Sequence, residues 1–131
     1  MSARVLVIDD SLFFRQLVTT SLESEGYTVT SVESAAAAID LIEHGERFDA
    51  IVADIEMPQM DGCEFAQWLR SRSDGKQLPL VALSSLSASS NEKRALASGF
   101  DRYLTKFNSQ ELLAAIGDLC LHIELETEVG V

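Results

Sequence analysis

Five short apolar stretches alternate along the chain with longer segments whose apolar positions recur every three or four residues. "VLVI" (5–8), "AIVA" (50–53) and "LVAL" (80–83) are apolar throughout, the pattern of strands covered on both faces. "YTVTSV" (27–32) mixes polar with apolar residues, and "DRYLT" (101–105) is short; both suit sheet edges. Helical spacing fills the intervals. Phe14, Leu17, Val18 and Leu22 form one stripe, and Phe65, Trp68 and Leu69 another. "SAAAAIDLIEHG" is rich in helix-forming alanine and leucine, and "SSNEKRALASG" is shorter and more polar. Gly26, Gly45, Gly75 and Gly99 stand where these helices should stop in a left-handed cap. A fifth helix opens at "NSQE", where Asn108 and Glu111 have capping-box spacing, and Leu112, Ile116, Leu119 and Ile123 line its inner face.

Five strand–helix units in succession predict an α/β fold, a doubly wound parallel sheet with helices on both faces. Placing the three most apolar strands centrally gives the order 2-1-3-4-5, the flavodoxin-like arrangement, with its switch point between strands 1 and 3. Residues 1–123 make the domain. The acidic, weakly patterned segment 124–131 is expected to fray.

This topology gives meaning to three carboxylates. The first strand runs directly into Asp9 and Asp10, and the third into Asp54. Strand ends beside a switch point are where ligands bind in such sheets, so the three acids should converge. Asp10 or Ser11 capping the first helix is the simpler reading of a lone acid there; the paired aspartates with a third at the switch point favour a site. Clustered carboxylates repel and raise one another's pKa unless a cation intervenes. Oxygen-only donors suit Mg2+, or Mn2+ in its place, and magnesium commonly shares its shell with a phosphate. Ser84 at the end of strand 4 and Lys106 after strand 5 add a hydroxyl and an ammonium. These are the groups a phosphoryl needs for hydrogen bonding and charge neutralisation.

Composition narrows the partners. A net charge of −11 argues against nucleic acid and anionic membranes, which demand a basic footprint. Cys63 and Cys120 supply neither a disulfide framework nor a zinc site, and a reducing, cytoplasmic setting is expected. No signal peptide or membrane-spanning run is legible. His44 and His122 fall on helical segments away from the acids.

Over about residues 3–120 the sequence resembles the receiver domains of two-component response regulators. The matching residues are Asp9-Asp10, "DIEMPQMDG" around Asp54, Ser84, Tyr103 and Lys106. The resemblance implies that Asp54 accepts a phosphoryl group from a phosphohistidine of a histidine kinase or a histidine-phosphotransfer domain. It implies magnesium on Asp10, Asp54 and the backbone carbonyl of Glu56, with Asp9 holding a metal-bound water. Ser84, the Ser85 backbone and Lys106 would bind the acyl phosphate. Ser84 and Tyr103 would switch, Tyr103 turning inward, and the output surface would be the face of helix 4, strand 5 and helix 5. Glu56 and Leu86 bear on the phosphoryl lifetime.

One position departs from the family: Phe107 stands where receivers usually have proline in a cis peptide after the lysine. The isomer of the Lys106–Phe107 bond is open on sequence alone. This "KF", with "DDSLFFR" and "ALSS", resembles receivers attached to chemotaxis proteins. The C-terminal receiver of a CheA-type hybrid histidine kinase is nearest, followed by a CheV-type coupling protein. A stand-alone adaptor or phosphate sink is a further possibility for the same fold. Two rival functions stand beside the phosphoacceptor, a magnesium-dependent phosphatase with an aspartyl nucleophile and a docking module that no longer takes phosphate. Phe14 is expected in the core. Phe13 is expected to pack at its border, with contact to the phosphotransfer partner as the alternative.

Overall fold

The computed structural model describes residues 3–85 and 89–129, and their side chains except at positions 89 and 121–129. Five strands, β1 (Arg4–Ile8), β2 (Thr28–Val32), β3 (Ala50–Asp54), β4 (Leu80–Ser84) and β5 (Arg102–Thr105), lie in the order β2-β1-β3-β4-β5. Every pairing is parallel. The helices α1 (Leu12–Ser24), α2 (Ala35–Glu43), α3 (Gly62–Ser71), α4 (Ser89–Ser98) and α5 (Ser109–Val129) follow the strands in turn. This is the doubly wound order expected from the apolar runs. β3 and β4 are buried at every residue, whereas β2 and β5 hold only half-buried and exposed residues, as edge strands can.

The pleat divides the core in two, because successive side chains leave a strand on opposite faces. Leu6, Ile8, Ile51, Ala53, Leu80 and Ala82 pack with α2 and α3 on one side. Val5, Val7, Val52, Val81 and Leu83 meet Val18 and Leu22 of α1 and Leu112 and Ile116 of α5 on the other. Burying a Leu, Ile or Phe side chain contributes about 1.5–3 kcal/mol, so these two layers dominate stability.

Helix ends explain where the pattern stops. Ser11 Oγ accepts from Phe14 N–H, Ser34 Oγ from Ala37 N–H and Asn108 Oδ1 from Glu111 N–H. α3 carries a full capping box between Asp61 and Glu64. Gly26, Gly45 and Gly99 have positive φ at helix ends. Gly75 does not fit that expectation: α3 ends earlier, at Ser71. A Cβ at Gly75 would strike the Leu69 carbonyl and side chain, so close approach explains this glycine. α5 is helical to Val129, through much of the segment expected to fray. From Asp118 to Val129 the sequence holds neither glycine nor proline and several helix-forming Glu and Leu residues. Ile123 and His122 lie outside the described side chains, and Leu86 outside the described residues. Among the described residues no helix is long and apolar enough to cross a membrane.

Candidate functional site

Strand register builds the site. Ile8 pairs with Ala53, so one step further Asp9 stands beside Asp54, while Asp54 itself pairs with Leu83 and Ser84 with Thr105. Asp9 shares the parity of Val5 and Val7, and Asp54 that of Val52, so both acids lean toward the α1–α5 side. Ser84 shares the parity of Ala82 and leans the other way. The carboxylate oxygens of Asp9, Asp10 and Asp54 lie within 4.8 Å of one another. Asp9 and Asp54 are buried and Asp10 is exposed. Ser11, not Asp10, caps α1, so the capping explanation of Asp10 does not hold.

Lys106 answers the two buried acids. Its ammonium lies 2.9 Å from Asp9 Oδ2 and 3.2 Å from Asp54 Oδ1. The peptide that follows it, Lys106–Phe107, is cis. Asp9 Oδ1 accepts from Ser11 N–H at 2.9 Å, whereas buried Asp9 Oδ2 meets the ammonium as an ion pair and accepts no well-aligned hydrogen bond. Burial would lower the pKa of Lys106, but the carboxylates of Asp9 and Asp54 outweigh it and raise the value. Asp54 is pushed up to about 7, first by burial and then by the charge of Asp9, with Lys106 opposing both. One ammonium therefore leaves the acid cluster under-neutralised. Three converging carboxylates, two of them buried and sharing a single ammonium, form an all-oxygen donor set that fits a hard divalent cation.

The other half of the site is a contact that sequence reasoning did not foresee. The Glu56 side chain, assigned there only a backbone carbonyl, accepts from Ser84 Oγ at 2.8 Å to Oε1 and 3.0 Å to Oε2. It also accepts from Ser85 N–H and Ser85 Oγ, each at 3.0 Å. The backbone N–H of Glu56 meanwhile points to Asp54 Oδ1 at 3.3 Å. The clue available in the sequence was parity: Ile55 and Met57 are apolar and buried, which turns the intervening Glu56 toward the rim.

The two phenylalanines depart from expectation. Phe14 is half-buried rather than core, its ring centre 4.4 Å from the Lys106 ammonium. Phe13 is 66% exposed and meets Phe14 edge-on. The apolar stripe of α1 is carried instead by Val18 and Leu22, and its first turn faces the rim. Tyr103 is half-buried and packs against the α2–α3 layer. Cys63 and Cys120 form no disulfide. His44 is exposed, its ring bonded to the Asp40 carbonyl, away from the acids.

A switch-point acid cluster, a buried lysine and a hydroxyl at adjoining ends of a 2-1-3-4-5 sheet define the receiver class. The chain belongs to the response regulator receiver domain family, which matches residues 5–117. It is 37% identical over 129 residues to the response regulator MprA of Mycobacterium ulcerans, covering 98% of this chain and 54% of that protein. It is 34% identical over 121 residues to the sensor histidine kinase CheAY of Helicobacter pylori, covering 92% of this chain and 15% of that one. Among solved structures it resembles the receiver domain of the sensor histidine kinase PA1611 of Pseudomonas aeruginosa, described with a magnesium ion coordinated in its active-site cleft. The TM-score is 0.83 at 26% identity, covering 92% of this chain and 98% of that one. The chain thus spans about half of MprA and a small part of CheAY. It is a receiver domain of two-component signalling, a class that works with histidine kinases or phosphotransfer domains.

Proposed function

We propose that this chain is a phosphoacceptor in which Asp54 takes a phosphoryl group from a phosphohistidine. The observation that supports this most is the position of Asp54: buried, at the switch point, with Lys106 at 3.2 Å and two further carboxylates beside it. In the step, an Asp54 oxygen attacks phosphorus and the P–N bond to the donor imidazole breaks. The imidazole leaves with the electron pair and takes up a proton. Asp10, Asp54 and the Glu56 carbonyl would hold magnesium, with Asp9 through a water; bound there, the ion would neutralise acids and phosphoryl together. Lys106 holds its charge beside the nucleophile, and burial keeps that charge from being screened. Ser84 Oγ–H and Ser85 N–H are the donors for the phosphoryl oxygens.

The product would act as a switch. Ser84 drawn to the phosphoryl opens space for Tyr103, which changes the α4–β5–α5 face. A charge-assisted hydrogen bond contributes roughly 1.5–3 kcal/mol. A 1:99 to 99:1 shift needs about 5.5 kcal/mol, so an output partner on that face completes it. Exposed Leu12 and Phe13 beside Asp10 are the surface on which we place the donor domain. For the parent protein we infer a hybrid chemotaxis histidine kinase working in the cytoplasm. CheAY is similar over 121 residues; because MprA is matched at higher identity, the inference rests on "DDSLFFR", "ALSS" and "KF".

Intact mass after incubation with magnesium and acetyl phosphate tests the reading. A magnesium-dependent phosphoryl adduct that is absent from Asp54→Asn is expected. Release of phosphate from simple phosphate esters with turnover, and no stable adduct, would instead favour the phosphatase.

A further inference from the structure

We propose that the carboxylate of Glu56 is a built-in competitor of the phosphoryl group, occupying its hydrogen-bond donors until phosphorylation displaces it. The inference rests on the phosphoacceptor reading above. Four contacts carry it: Glu56 Oε1 accepts from Ser84 Oγ, Ser85 N–H and Ser85 Oγ, and Oε2 from Ser84 Oγ, all between 2.8 and 3.0 Å. A hydroxyl has one hydrogen and a backbone amide has one hydrogen. A phosphoryl oxygen on Asp54 that takes the Ser84 and Ser85 donors must therefore take them from Glu56.

The backbone makes the occupancy directed. Ile55 and Met57 are anchored in the core on either side of Glu56, and Glu56 N–H is tied to Asp54 Oδ1. The Glu56 main chain is held while its side chain spans from the β3 end to the β4 end, the gap that a phosphoryl on Asp54 would enter. The competitor is also an anion, so a second anion arriving there is opposed by charge as well as by lost hydrogen bonds. Phosphorylation then does two things at once: it frees the Glu56 carboxylate and it commits Ser84 and Ser85. Glu56 thereby sets how readily the site fills and ties its own release to the movement of Ser84.

Glu56→Ala and Glu56→Gln in the full chain test this, since both keep the backbone carbonyl. Gln keeps an acceptor but loses the charge; Ala loses both. Without magnesium or phosphodonor, the Ser85 amide proton in a 1H–15N spectrum should move upfield in Glu56→Ala and less in Glu56→Gln. With magnesium and acetyl phosphate, the initial rate of adduct formation by intact mass should rise about fivefold or more in Glu56→Ala, the size expected from releasing a net hydrogen bond. Glu56→Gln should fall between it and the native chain. An unmoved Ser85 amide, an unchanged or slower rate in Glu56→Ala, or equal gains in both variants (charge alone) would each overturn the proposal. If neither the native chain nor either variant forms an adduct, the phosphoacceptor reading itself falls, a result distinguishable from a native chain that is modified and variants that are no faster.

Discussion

Lys106 lies over the face of Phe14, its ammonium 4.4 Å from the ring centre. The lysine is thus held from two directions, by the carboxylates of Asp9 and Asp54 on one side and an aromatic face on the other. A ring face attracts a cation by about 0.5–2 kcal/mol, the upper end where water is excluded. The Lys106 side chain is only 6% exposed, so the contact belongs toward that end.

Phe14→Leu keeps an apolar side chain on α1 but removes the ring face. Adduct formation from acetyl phosphate should slow about three- to tenfold, corresponding to about 1 kcal/mol of Lys106 positioning. Phe14→Trp should retain most of the rate. A time course by intact mass reads both, and equal rates in native chain and Phe14→Leu would show that the acids alone position Lys106.

The acid cluster sets a pH dependence. Asp54 has a folded pKa of about 7, above the unfolded value near 4. The folded state therefore binds this proton more tightly, and stability falls as pH rises from about 4 through 7. Lys106 stays charged in both states across that window and adds no slope. Asp54→Asn removes the penalty. In chelator-containing buffer it should be more stable than the native chain by about 1–3 kcal/mol at pH 8, with the difference vanishing near pH 4. Urea titrations at the two pH values measure this, and a constant difference between them would contradict it.

Arg70 fastens α3 to the far edge of the sheet. It donates to the carbonyls of Gly99, Gly75 and Leu78 at 2.9, 2.7 and 2.7 Å, and to Asp101 at 3.2 Å. Asp101 in turn accepts from Leu80 N–H at the start of β4. Arg70→Ala leaves these acceptors to water or unpaired and should cost about 2–4 kcal/mol. Arg70→Lys should recover little, because an ammonium cannot reproduce the planar fork. Chemical denaturation of both variants checks the contrast.

Gly62 opens α3 directly behind the end of β3. A Cβ there would collide with the Asp54 carbonyl and come within 2.9 Å of Ile55 Cα, both backbone atoms with little room to yield. Gly62→Ala should destabilise the fold by about 1–3 kcal/mol and slow adduct formation by displacing Asp54. Unaltered melting and phosphorylation together would show that the loop accommodates the methyl group.

Much of this was legible along the chain. Uninterrupted apolar runs can only be buried on both faces, so β1, β3 and β4 had to be central, and the strand order followed with Asp9, Asp10 and Asp54 at its switch point. Ser84 and Lys106 were legible for the same reason, since each ends or follows a recognisable strand. Gly75 was misread because a glycine that relieves crowding against Leu69 looks, in sequence, the same as one that supplies a positive φ.

What local pattern determined was which residues reach the rim; what tertiary structure alone decided was what they touch there. Phe14 fits a helical stripe, yet the packing of α1 beside the loop after β5 brings its ring to Lys106. Glu56 entered the sequence reading through its backbone carbonyl, yet the parallel pairing of β3 with β4 brings its carboxylate onto Ser84 and Ser85, more than 25 residues away in sequence. Periodicity records burial, which each segment expresses alone. Hydrogen-bond partners and ring contacts depend on strand register and helix placement, which exist only once the segments have packed together.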